Sequence, residues 1–219
     1  MKQWWLKRFG SPKKALRIQE VALPAALTSH IAIKIRAAGL IAFTIIGTSA
    51  ARGQTAIDRL QSLVETSARR LRIAQQVALA KWDSGTAVED VPREAQVVTG
   101  AVRDGVSRGL DPTSVSNFFK AQIEANKVIQ YSLLADWRRA SRTPAHAPID
   151  LVATIRPELD HVQAALIAEL ADTMAIRAST TCRADVAKAI GKYISGHKHE
   201  VGPLQLIALD RALAASCTS

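Results

Sequence analysis

Residues 55–82 read TAIDRLQSLVETSARRLRIAQQVALAKW, a long run with neither glycine nor proline. Within it Ile57, Leu60, Val64, Leu71, Ala74 and Ala78 recur at steps of three, four or seven, which puts them on one stripe of an α-helix. The alternation of a half-buried strand does not survive a count, here or elsewhere in the chain. Asp83-Ser84-Gly85 ends the run. After a short loop Asp90 can cap a second helix, with Val91-Pro92 in its first turn and Gly109 as its stop, so that it ends near Arg108.

The pattern repeats outward. Asp111-Pro112 opens a third helix by the same device, carrying Phe118, Phe119, Ile123, Ile129 and Leu133 to about Arg139. Two prolines within Arg142–Pro148 forbid continuation and mark a linker. A fourth helix is expected from near Pro157 to about Ala178. Thr180-Thr181 can cap a shorter one bearing Cys182, and Gly202-Pro203 separates that from a last helix before Cys217. The expectation is an all-α bundle of about six helices. Core helices would span 55–140, a linker 141–149 and a C-terminal helical extension 150–219, together one domain over 52–219.

The formal net charge of +10 is unevenly spread. Residues 1–51 hold eight Lys or Arg and one acid, a local +7, which leaves +3 for the rest of the chain. A body near +3 lacks the broad basic surface that a phosphate backbone requires, so no nucleic-acid partner is expected. Residues 1–51 instead read as an export leader: a basic n-region, an apolar stretch at about 37–46, and small residues placing cleavage near 50/51. The apolar stretch is shorter than the ~20 residues of a membrane-spanning helix, so no stable anchor is expected after cleavage.

Cys182 and Cys217 are the two cysteines of the chain. Their spacing suits neither a zinc site nor a CxxC redox pair. In an oxidising compartment they would form one bridge, closing a loop of about 36 residues and stabilising the fold by roughly 3–4 kcal/mol. Two unrelated buried thiols are the alternative.

Chemistry concentrates between Arg70 and Gln130. Arg70 and Lys81 are eleven residues apart on the first helix. That spacing returns to within about 20° of the same face after ~16 Å of rise. Two long cationic side chains leaning together can bracket a small dianion. Asn126 and Gln130 form an i, i+4 pair on the third helix, and an uncharged amide facing inward can donate to an oxygen gaining negative charge. Taken singly, each of these has an ordinary surface explanation.

Taken together, Arg70, Lys81, Asp90, Arg93, Glu94 and Gln130 follow a spacing that resembles the all-helical AroQ-type chorismate mutases, over about Leu60 to Trp137. The leader, the extension beyond the third helix and the late cysteine pair resemble the secreted γ subclass. There the second carboxylate-binding arginine comes from the extension, for which IDLVATIRPELD offers Arg156. The resemblance implies a chorismate mutase that rearranges chorismate to prephenate without a cofactor, metal or covalent intermediate. By the same resemblance Arg70, Lys81 and Gln130 are catalytic, and Arg93, Glu94, Asp90, Asn126 and Arg156 bind substrate. Arg70 and Arg156 would hold the two carboxylates, Lys81 a carboxylate and the ether oxygen, and Gln130 the ether oxygen from the other side. Glu94 and the backbone near Asp90 would receive the ring hydroxyl, with Arg93 supporting that corner. Position 126 is often a small hydroxyl residue in this family and is Asn here.

A complete site in each chain, a periplasmic or secreted location and a homodimer are further expectations from the resemblance. The competing reading is a non-catalytic exported helical bundle that binds a small dianion or a protein partner. It would keep the apolar stripe and the disulfide without requiring Lys81 and Gln130 to face one pocket.

Overall fold

The computed structural model describes residues 48–218, with side chains from Ala56 onward. The leader expected over residues 1–51 lies, through residue 47, outside the described residues. Within them seven α-helices form and no strand does: α1 (Thr48–Ser84), α2 (Val91–Val106), α3 (Pro112–Ala140), α4 (Arg156–Asp172), α5 (Met174–Arg177), α6 (Cys182–Gly196) and α7 (Pro203–Leu213). A π-helical turn, Leu151–Ile155, leads into α4.

The long run that opens the chain's core is the hub. Its predicted stripe is buried at Leu60, Val64, Leu71, Ala74 and Ala78, while Ile57 packs against the rim of the core. Leu63, Ala68, Ile73, Val77 and Leu79 are buried as well, so α1 is covered on more than one face. That breadth of burial follows from its neighbours, since α1 packs on α3, α4, α6 and α7. Beyond the main core, Trp82 meets Trp137 edge-on with ring centroids 6.1 Å apart, closing a small cluster with Val88 and Leu134.

Both aspartate caps form. Asp90 Oδ1 accepts from the Arg93 backbone N–H at 3.1 Å and Asp111 Oδ1 from that of Ser114 at 2.7 Å, each with a proline in the first turn. Gly85 and Gly109 end their turns with φ of +67° and +78°, a conformation a Cβ would strain. Gly105 is needed for its size. A Cβ there would sit 2.8 Å from Val115 Cγ2, so glycine sets how closely α2 approaches α3.

Two elements depart from expectation. The fourth helix divides at Thr173, which separates α4 from the single turn of α5. The Thr173 hydroxyl donates to the Glu169 carbonyl at 2.6 Å, and the Arg177 guanidinium donates to the Leu170 carbonyl at 3.1 Å. A buried side chain thus satisfies an α4 terminus that no glycine or proline announces. Likewise Thr181 precedes α6 without capping it; its hydroxyl donates to Asp185 Oδ2 instead. The π turn before α4 has its own cause. Pro157 offers no N–H and crowds the preceding turn, which a wider i to i+5 turn accommodates.

The disulfide forms between Cys182 and Cys217, with Cα atoms 5.9 Å apart. Beside it Arg177, wholly buried, donates to the Ser216 carbonyl at 2.6 Å and to the Ser114 hydroxyl at 2.8 Å. The Thr218 backbone N–H returns a bond to the Arg177 carbonyl at 2.9 Å. Crosslink and guanidinium together tie the C-terminal tail to α3, α4 and α6.

Candidate active site

Helical periodicity dictates which side chains meet. Arg70, Val77 and Lys81 lie at i, i+7 and i+11 on α1; Asp90, Arg93, Glu94 and Val97 follow the first turns of α2; Ile123, Asn126, Lys127 and Gln130 share one face of α3. Leu151, Arg156, Leu159, Asp160 and Gln163 come from the π turn and α4. All of these line one cavity of about 120 Å³. The eight residues expected from the sequence, Arg70, Lys81, Asp90, Arg93, Glu94, Asn126, Gln130 and Arg156, are all among them, and all belong to one chain.

Charge in the cavity is unbalanced. Arg70, Lys81, Arg93, Lys127 and Arg156 face Asp90, Glu94 and Asp160, a formal excess of two positive charges. The carboxylates are mostly engaged. Glu94 Oε2 pairs with Lys127 Nζ at 3.2 Å, Lys127 also pairs with Glu124 at 2.7 Å, and Asp160 pairs with Arg93 at 3.5 Å. Asp90 spends its side chain on the helix cap, and its backbone N–H donates to Glu94 Oε1 at 3.4 Å.

Arg70 is the exception. It is 5% exposed, its Nε has no hydrogen-bond partner, and it makes no ion pair among the described residues. Burial lowers its pKa to about 10, against a smaller opposing pull from Asp160. Burial also lowers the pKa of Lys81, whose ammonium donates to the Val88 carbonyl. An ammonium has three N–H bonds, so Lys81 keeps donors for a ligand. Across the cavity Gln130 is 4% exposed and Asn126 8%; Gln130 Nε2 donates to Asn126 Oδ1 at 2.6 Å, and Asn126 Nδ2 to the Arg70 carbonyl at 3.2 Å.

Sequence reasoning missed Lys127, Asp160, Gln163 and the apolar lining of Val77, Val97 and Leu159. The signal was present. Extending each helical face by three, four or seven positions from Lys81, Gln130 or Arg156 reaches Val77, Lys127, Asp160 and Gln163. Neither Arg142, exposed on the linker, nor Arg177, committed to the C-terminal tail, stands in for Arg156 at the cavity.

A wholly helical scaffold that gathers cations and carboxamides round a small, partly apolar cavity with a surplus of two positive charges defines a class: helical proteins that take a compact dianion. Known proteins narrow it. Residues 54–131 match the family described as chorismate mutase type II. A secreted chorismate mutase of Mycolicibacterium smegmatis is 30% identical over 179 residues, spanning 81% of this chain and 96% of that protein. One from Mycobacterium tuberculosis is 29% identical over 131 residues, spanning 60% of this chain and 65% of that protein. A crystal structure of chorismate mutase from Burkholderia phymatum shares the fold with a TM-score of 0.71 at 40% identity, covering 75% of this chain and 99% of that one. The chain belongs to the chorismate mutase family.

Proposed function

We propose that this cavity binds chorismate and rearranges it to prephenate. Arg70 and Arg156 take the two carboxylates as charge-assisted pairs, for which a guanidinium fork is suited. Lys81 meets a carboxylate and the ether oxygen, and Gln130 donates to the ether oxygen from α3. Glu94 and the backbone at Asp90 receive the ring hydroxyl, while Arg93 supports that corner and Asn126 completes the polar wall. The observation that carries this reading is Arg70, a guanidinium buried beside a cavity, its Nε without a hydrogen-bond partner and with no ion pair among the described residues. A carboxylate of the substrate is the partner its chemistry asks for.

The reaction moves electrons round a six-membered cycle within one molecule. The ether C–O bond breaks as a C–C bond forms, and no proton or group leaves. A side chain therefore has two tasks: to hold the folded conformer in which the reacting carbons meet, and to stabilise charge gathering on the ether oxygen. Fixed cations and amides in a partly dry cavity do both. The non-catalytic alternative would leave Lys81 and Gln130 no reason to face the same cavity as Arg70.

Export belongs to the same reading: a leader over residues 1–51 cleaved near 50/51, releasing a mature chain of residues 52–219 into the periplasm or medium. The relatives named secreted support it. A homodimer with one complete site per chain is proposed by likeness to the γ subclass. Purified protein incubated with chorismate should yield prephenate, identified by NMR, well above the uncatalysed rate. Unchanged chorismate beside folded protein would refute the assignment.

A further inference from the structure

Three buried groups make a directional chain across the α1–α3 interface: the Arg70 carbonyl, the Asn126 carboxamide and the Gln130 carboxamide. A backbone carbonyl carries no proton, so the Asn126 atom facing it at 3.2 Å must be Nδ2. The oxygen of Asn126 is then turned toward Gln130, and only an N–H can meet it. Gln130 rotated end for end would set two carbonyl oxygens 2.6 Å apart. The orientation of both amides is thus dictated by one main-chain oxygen, without appeal to how oxygen and nitrogen were assigned.

Among the described residues Gln130 has no other anchor for that orientation. Its Oε1 is buried without a partner, so what keeps its nitrogen end forward is the bond to Asn126. One of the two Nε2 hydrogens is used there, which leaves the second for an oxygen in the cavity.

We propose that Asn126 is a positioning residue: it holds the Gln130 amide with a donor toward the breaking ether bond and does not itself hold substrate. This rests on reading Gln130 as the donor to the ether oxygen. An amide free to turn would offer its carbonyl to an oxygen gaining negative charge, and would have to reorganise at the moment of reaction. A donor fixed beforehand does not.

Steady-state kinetics on Asn126→Leu, Gln130→Leu and the double variant test it, with circular dichroism to verify folding. Asn126→Leu should lower kcat roughly tenfold while KM stays within about threefold, and Gln130→Leu should lower kcat by about a hundredfold. The double variant should be no slower than Gln130→Leu alone, because removing the donor leaves nothing to position. A raised KM with kcat preserved in Asn126→Leu would mean direct substrate binding and overturn the proposal. So would losses that multiply in the double variant. Wild-type kcat in Gln130→Leu would instead overturn the ether-oxygen assignment beneath it. Asn126→Ala, which removes the carboxamide and leaves no polar group in its place, serves the same cycle if leucine prevents folding.

Discussion

Lys81 and Gln130 sit on opposite helices with different relations to pH. Gln130 is an amide and does not titrate in the working range. Turnover by the wild type should therefore need no acid, and Gln130→Glu should move the optimum to low pH, because only a protonated carboxyl can donate to the ether oxygen. A pH–rate profile of the two proteins checks this. Lys81 limits the other side. Burial lowers its pKa, so its positive charge is present at neutral pH and is lost as pH rises through a value below the ordinary lysine range. The alkaline limb of kcat/KM should accordingly fall below that range, and Lys81→Arg should move it upward. Much of this site was legible because long polar side chains recur at helical spacing within an otherwise apolar pattern. Lys127 and Asp160 stood out less: they lie at the same spacing from Gln130 and Arg156, but a lysine three residues after Glu124 or an aspartate on an exposed turn of helix has the composition of any solvated face. Only the approach of α2 to α3 and of α4 to α2 makes them part of a cavity.

Among the elements, boundaries set by local chemistry were readable and those set by tertiary contact were not. Asp90, Gly109, Asp111 and Pro112 act within their own turns, and the structure ends and begins helices at them. Arg177 acts through the tail and α3, which sequence order does not reveal. The cap at Asp111 makes a clean test, since it does not line the cavity. Asp111→Ala should cost about 1 kcal/mol in urea denaturation and leave kcat and KM unchanged. Asp90 would not serve, because its cap also fixes the backbone and the Glu94 carboxylate at the edge of the site.

For the molecule as a whole, stability and activity are held in different places. The disulfide, Arg177 and the tail close the C-terminal side of the bundle, whereas the cavity lies among α1, α2, α3 and α4. Reduction should lower stability by roughly 3–4 kcal/mol, seen as a fall in the denaturation midpoint, while protein that remains folded keeps its kcat. The cavity carries the opposite bargain: a desolvated guanidinium that weakens the free protein in return for a carboxylate it will meet later. The most direct measurement of that claim compares Arg70→Met with the wild type in two respects, kcat/KM for chorismate and the midpoint of unfolding without substrate. Arg70→Met should lose about a hundredfold or more in kcat/KM, with a midpoint as high as the wild type's or higher. Turnover within a few-fold of wild type, or a loss explained by unfolding alone, would contradict it.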